Sequence, residues 1–336
     1  MKHHNGKIEK GVVGLGLMGC SIAANLIIAG KKVIAVAPLQ TDLEKAATRI
    51  KHYLEEAYSH GFSEYTHNEN MERLLITTDY QDLKNCGLVI ECVVENLQIK
   101  TEVYKKIESV IAEDAILATN TSALPITILK DFVQYPKRFL GMHFAEPAFT
   151  TKFLEIICST ETDEAVANNA YQIASSWGKE PTLVRKDIRG FITNRIMYAM
   201  YREAFYLVEN GYATIEDVDR SCRNDGGQWM PFCGLFRYMD LTGLQAYYSV
   251  MKDLFPTLSN QTNVPDLIEK IAMNGGNGIV NGNGFYTYTP EEAQEWEKAY
   301  EEFAFEISRL TSKYPIDLIE KRMQEKVWLN FATIPL

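Results

Sequence analysis

The stretch GVVGLGLMG, residues 11–19, restricts the fold more than any other part of the chain. An apolar run leads into it and a helical pattern leads out. Between them stand Gly14, Gly16 and Gly19 in the spacing G-x-G-x-x-G. In that setting each glycine has a mechanical task. Gly14 permits a tight turn, Gly16 lets an anionic group approach the backbone, and Gly19 lets the helix pack closely on the strand. Met18 lies in the same loop. The free N–H groups and partial positive charge of the helix N-terminus then face a pyrophosphate. The stretch predicts the opening strand-turn-helix of a dinucleotide-binding α/β sheet.

The next 170 or so residues continue that pattern. GVVGLG, KKVIAVA, GLVIECVV and AILATNTS are short runs rich in Val, Ile and Leu, the signature of parallel strands buried on both faces. RFLGMHF and FLEIIC add two further strand-like runs, and PTLVRK closes the sheet. Helical stretches such as MGCSIAANLIIAG and TDLEKAATRIKHYLEEAY alternate with them, which predicts a doubly wound sheet. After RKDIRGF only helical periodicity remains. Ile192, Ile196, Met200 and Leu207 fall along one face, and Asn210-Gly211 stop that helix. Thr214 caps the next helix, with Asp217 as its capping-box partner. The boundary falls near 186–190, giving a Rossmann-type domain over 1–187 and an all-helical domain over 188–336. The Phe and Ile stripe of PEEAQEWEKAYEEFAFEISRL fits either a core or a subunit contact.

Composition limits the partners. A net charge of −10 argues against nucleic acid and anionic membrane surfaces, and no apolar run is long enough to span a bilayer. The six cysteines form no C-x-x-C pair and read as reduced thiols of a cytoplasmic protein. The polar start shows no secretory signal.

His143, in GMHFAEPAF, poses the main question: a lone histidine in an apolar run can be a base, a buried structural ring or part of a metal site. The other histidines, at 3, 4, 52, 60 and 67, show no ligand spacing with it, so no metal is expected. Glu155, an acid inside the apolar run FLEII, is costly to bury alone, and His143 is its natural partner. Ser122 could cap a helix begun by ALPIT, Asn194 could be an ordinary helix-face amide, and Lys100 a solvated helix residue.

GLGLMG, VEN, NTSALPIT, GMHF, GFITNR and the late GFYTY, in that order over roughly residues 10–290, resemble the L-3-hydroxyacyl-CoA dehydrogenase family. The resemblance implies an NAD-dependent oxidoreductase, dimeric through its helical domain, that converts a 3-hydroxyacyl-CoA to the 3-oxo compound. By the same token His143 is the base, Glu155 orients it and stabilises the imidazolium, Ser122 contacts the reacting oxygen, and Asn194 helps hold the same region. Glu95, Lys100 and Asn120, with Gly14, Gly16, Met18 and Gly19, belong to the cofactor cleft. The site would lie between the domains, at the carboxyl ends of the strands.

The chain departs from the family at several points. The family motif H-F-F-N-P reads His143-Phe144-Ala145-Glu146-Pro147, which puts an acid near the base unless Glu146 is protonated or turned to a cation such as Lys152 or Arg138. Ala37 and Pro38 stand where an acid normally receives the NAD ribose, Asp42 comes later, and Arg49 lies well into the helix. SHGFSEYTHNENMERL offers Arg73 but no lysine for coenzyme A phosphates, and NGGNGIVNGNGFY offers none either. Trp229, Phe232 and Phe236 near the expected substrate mouth read as packing. These departures keep open a dehydrogenase of a free 3-hydroxy acid, of the gulonate or carnitine kind, and a non-catalytic dinucleotide-binding regulator.

Overall fold

The computed structural model describes residues 9–324. The elements run β1 (Glu9–Val13), α1 (Leu17–Ile28), β2 (Val33–Val36), α2 (Leu43–Ser59), α3 (His67–Met71), β3 (Leu74–Thr77), β4 (Cys86–Glu91), α4 (Leu97–Glu108), β5 (Ile116–Thr119), α5 (Ile126–Leu129), β6 (Phe139–Phe144), β7 (Leu154–Cys158), α6 (Glu164–Ser175) and β8 (Thr182–Val184). Helices α7 (Thr193–Glu209), α8 (Ile215–Asn224), α9 (Gly226–Thr242), α10 (Leu244–Leu254), α11 (Asp266–Met273) and α12 (Pro290–Ser312) follow.

The eight strands form one sheet in the order β3-β2-β1-β4-β5-β6-β7-β8. Strands β1 to β6 are parallel, β7 runs antiparallel to β6, and β8 is parallel to β7. The chain reverses its direction of travel across the sheet between β1 and β4, the place where such sheets open a crevice for a ligand. β3 is an addition to what the sequence announces. LLIT is short, and its residues are at most half-buried, so it shows neither a buried run nor clean alternation.

Helix α1 is not amphipathic. Gly19 through Ile27 are all buried, because sheet and α2 enclose it and the loop after β6 bonds to its Ser21. Helix α4 presents Lys100, Val103, Tyr104 and Ile107 to the interior, the i, i+3, i+4, i+7 stripe of a half-buried helix. Each large apolar side chain so buried contributes roughly 1.5–3 kcal/mol. The stripe meets Leu117 and Phe139, and Phe191 joins the same core.

Two compact units result, Met1–Arg195 and Ile196–Leu336. The first reaches past 187 because Phe191 is buried in its core and the amides of Ile192 and Thr193 bind Glu155. In the second, Thr214 caps α8 as expected, accepting from the Asp217 amide at 3.1 Å and donating to its carboxylate at 2.9 Å. Helix α9 is broken at Gly234, whose φ of 67° only glycine adopts without strain. Trp229 stacks on Tyr238 with ring centroids 4.1 Å apart, the packing role expected, whereas Phe236 is 81% exposed. In α12, Phe305 is buried while Trp296, Tyr300 and Phe303 are exposed.

Candidate active site

The glycine loop has the shape a pyrophosphate requires. Gly14 adopts φ +97°, and a Cβ there would lie 2.8 Å from the Cys92 and Val93 backbone. A Cβ on Gly19 would lie 1.8 Å from the Gly14 carbonyl oxygen, so only glycine lets α1 start this close to β1. Gly16 faces open space, and no side chain caps the first turn of α1. An uncapped helix start beside an open backbone fits the dinucleotide that the motif implies. Met18 is half-buried in that first turn. At the end of β2, Ala37 is buried and Pro38 exposed, and Asp42 immediately precedes α2, so no acid ends the strand.

The reacting groups are assembled by β6 and β7. In that antiparallel pair His143 lies directly opposite Glu155, so a cross-strand register converts a sequence separation into contact. His143 Nδ1 is 2.9 Å from Glu155 Oε2, and its Nε2 is 3.0 Å from Ser122 Oγ. The other Glu155 oxygen accepts from the Ile192 and Thr193 amides, both at 2.9 Å. Glu155 is fully buried and His143 is 7% exposed. Burial alone would raise the Glu155 carboxyl, but the His143 contact and the two amides outweigh it and hold the carboxyl below its ordinary range. A carboxylate so fixed accepts a hydrogen bond from Nδ1–H and leaves the Nε2 lone pair directed at Ser122. Ser122 precedes α5, whose N-cap is Pro125, and does not cap it.

Two aromatic rings that the sequence does not single out hold the imidazole edge-on, Phe153 at 5.6 Å and Phe191 at 5.4 Å. Phe191 is left-handed, with φ 51°, a conformation that costs roughly 1–3 kcal/mol in a non-glycine residue. The preceding Gly190, at φ 82°, is the signal in RGF that the backbone turns here.

The remaining candidates fall around this centre. Glu95 is exposed, and its carboxylate accepts from Thr121 Oγ1 at 2.8 Å and from the Ser122 amide at 2.8 Å. Asn120 accepts from the Phe144 amide at 2.9 Å, tying the end of β5 to the end of β6. Asn194 lies in the first turn of α7, next to the amides that hold Glu155. Lys100 is not the solvated helix residue that its place in the sequence also allows: it is fully buried on the inner stripe of α4, with its ammonium 2.9 Å from Glu91 and 3.5 Å from Glu95.

Of the two cations the sequence offers Glu146, Lys152 pairs with Glu180 and Arg138 with Glu108, so neither serves it. Its carboxylate instead accepts from the Tyr53 hydroxyl of α2 at 3.2 Å. Burial pushes the Glu146 carboxyl above its ordinary range, although hydrogen bonds from Tyr53 and Ser21 and the charge of Arg49 pull the other way. The loop that follows β6 is fixed further by Ser21 Oγ, which accepts from the Ala148 amide at 2.7 Å. From the other side, the buried Lys179 donates to the carbonyls of Ala148 and Thr151, and burial lowers its pKa to about 7. Among the described residues no group of three or more His, Cys, Asp or Glu could hold a metal ion. No helix among them is long and apolar enough to cross a membrane.

Comparison with known proteins gives a consistent picture. The family model described as "3-hydroxyacyl-CoA dehydrogenase, NAD binding domain" matches residues 9–188, and the corresponding C-terminal domain model matches 190–288. A 5-formyl-3-hydroxy-2-methylpyridine 4-carboxylate 5-dehydrogenase from Mesorhizobium japonicum is 32% identical over 284 residues, covering 84% of this chain and 91% of the relative. A 3-hydroxybutyryl-CoA dehydrogenase from Mycobacterium tuberculosis is 34% identical over 281 residues, covering 83% and 97%. A crystal structure of a 5-formyl-3-hydroxy-2-methylpyridine 4-carboxylic acid 5-dehydrogenase, described as an NAD+ dependent dismutase, superposes with a TM-score of 0.84. It is 30% identical and covers 91% of this chain and 99% of its own.

Proposed function

Because the chain belongs to the 3-hydroxyacyl-CoA dehydrogenase family and is an NAD-dependent oxidoreductase, we propose that it oxidises the 3-hydroxyl of an L-3-hydroxyacyl-CoA, with His143 as general base. The observation that carries this reading is the chain of contacts Ser122–His143–Glu155, at 3.0 and 2.9 Å. Ser122 holds the substrate oxygen beside Nε2, His143 takes the hydroxyl proton, and Glu155 stabilises the imidazolium that forms. NAD, held by the glycine loop and the Glu95 side of the cleft, supplies the hydride acceptor. One proton and one hydride leave the alcohol, which becomes a ketone. Asn194 supports the same region from the start of α7. We place the homodimer contact on the helical unit, where Tyr198, Tyr248 and Phe236 stay exposed at 67%, 63% and 81%.

A second reading is favoured by the 0.84 TM-score to the pyridine-carboxylate enzyme, by the absence of lysine from 59–74, and by the Glu146–Tyr53 contact. A free acid or an aromatic aldehyde would then replace the thioester. An aldehyde hydrate carries a hydroxyl on the carbon that loses hydride, so the same base serves both substrates. The test is NADH turnover at matched concentrations of acetoacetyl-CoA, acetoacetate and 3-dehydrocarnitine, with NAD reduction measured on the pyridine aldehyde. Thioester activity alone supports the first reading, and activity only on the free compounds overturns it.

A further inference from the structure

Beneath the segment that carries Glu95 lies a buried group of charges. Glu91 ends β4 and is fully buried, as are Lys100, Tyr104 and Thr119 around it. A carboxylate at that depth persists only if its lone pairs are filled, and here they are. Oε1 accepts from the Val93 amide at 2.6 Å and from Lys100 at 2.9 Å. Oε2 accepts from Thr119 at 2.7 Å, from Tyr104 at 3.1 Å and from Lys100 at 3.1 Å. The strand register supports this, since Glu91 pairs with Thr119 on one side and Val13 on the other.

Lys100 is thereby wedged between two acids. Behind it is Glu91, and in front, at 3.5 Å, is Glu95. Glu95 is a long, partly exposed side chain, which ordinarily keeps its rotamer freedom and gains little from surface charge. The buried ammonium changes that, because solvent does not screen it. With Lys100 behind it, the Glu95 carboxylate meets both Thr121 Oγ1 and the Ser122 amide, and Ser122 Oγ meets His143. We propose that Glu91 and Lys100 are positioning residues for the reacting centre: the buried pair fixes Glu95, Glu95 fixes the Ser122 backbone, and the Ser122 hydroxyl is thereby held against His143. The inference rests on the reading of Ser122 and His143 as the reacting groups.

Removing one charge strands the other, so Lys100→Met alone risks misfolding. The double variant Glu91→Gln/Lys100→Met removes both with side chains of similar shape, a replacement that buried ion pairs commonly tolerate. In the holoenzyme we expect its melting temperature to stay near wild type, and turnover is read at saturating NAD so that any change in cofactor affinity is kept apart from it. Turnover should fall about 10-fold or more, the scale of coupling within a contiguous network. A crystal structure of the variant should show Ser122 Oγ beyond hydrogen-bonding distance of His143. Wild-type turnover, or an unchanged Ser122–His143 contact in that structure, overturns the proposal. Failure of the base assignment is distinguishable: it would appear as retained turnover in His143→Ala, whatever the double variant does.

Discussion

Glu155→Gln isolates the charge from the shape of the contact that orients the base. Glutamine can still accept the Ile192 and Thr193 amides through its carbonyl oxygen. Its NH2 group then faces His143 Nδ1, where a carboxylate oxygen stood at 2.9 Å. Two donors cannot share that contact, so the imidazole moves its proton to Nε2, the nitrogen that must accept one from substrate. A hydrogen bond to a charged group is worth about 1.5–3 kcal/mol, and each ~1.4 kcal/mol is tenfold in rate. Loss of the charge alone therefore lowers kcat/KM by roughly 10- to 150-fold, and the changed tautomer adds to it. Stability responds as well. The Glu155 carboxyl titrates below its ordinary value of 4.5 in the folded chain, so it stabilises the fold above that value. That contribution is lost as pH falls through the lower folded value. Denaturant titrations should show wild type ahead of Glu155→Gln at neutral pH, with the gap closing in acid below 4.5. Steady-state rates within about 3-fold of wild type at neutral pH, well under the span worked above, would refute the orienting role.

Gly19→Ala places a methyl group 1.8 Å from the Gly14 carbonyl, so it should abolish NADH binding in fluorescence titration or prevent folding, and normal affinity would contradict the close approach of α1. Glu146 works in the opposite sense to Glu155. Its carboxyl is raised, so ionisation costs stability as pH rises through the folded value, and Glu146→Gln should gain over wild type towards neutral pH and lose that gain in acid. A stability difference that does not change with pH would show that Glu146 is not strained by burial.

The first unit was largely legible because its signals are local. A glycine spacing, apolar strand runs and an acid in an apolar strand each carry their physical reason within a few residues, and the last of these pointed to the His143–Glu155 pair. What escaped depends on distant contacts. Glu146 looked for a nearby cation and found a hydroxyl on α2, 93 residues away in sequence. Lys100 could pass for a solvated helix residue, yet its 3–4 spacing with Val103, Tyr104 and Ile107 puts it on the buried stripe of α4. Glu91 went unnoticed as an acid at the end of an apolar strand, although the same cost argument that picked out Glu155 applies to it. Phe153 and Phe191 gave no chemical signal, since their part is to confine the imidazole rather than to react.

The most direct measurement compares His143→Ala with wild type, following turnover on the preferred substrate and NADH affinity in the same preparations. Turnover should fall at least ~100-fold, the usual scale for a general base, while NADH affinity stays near wild type. Retained turnover would contradict the account, because the Ser122–His143–Glu155 contacts would then be structural and the proton would leave by another route.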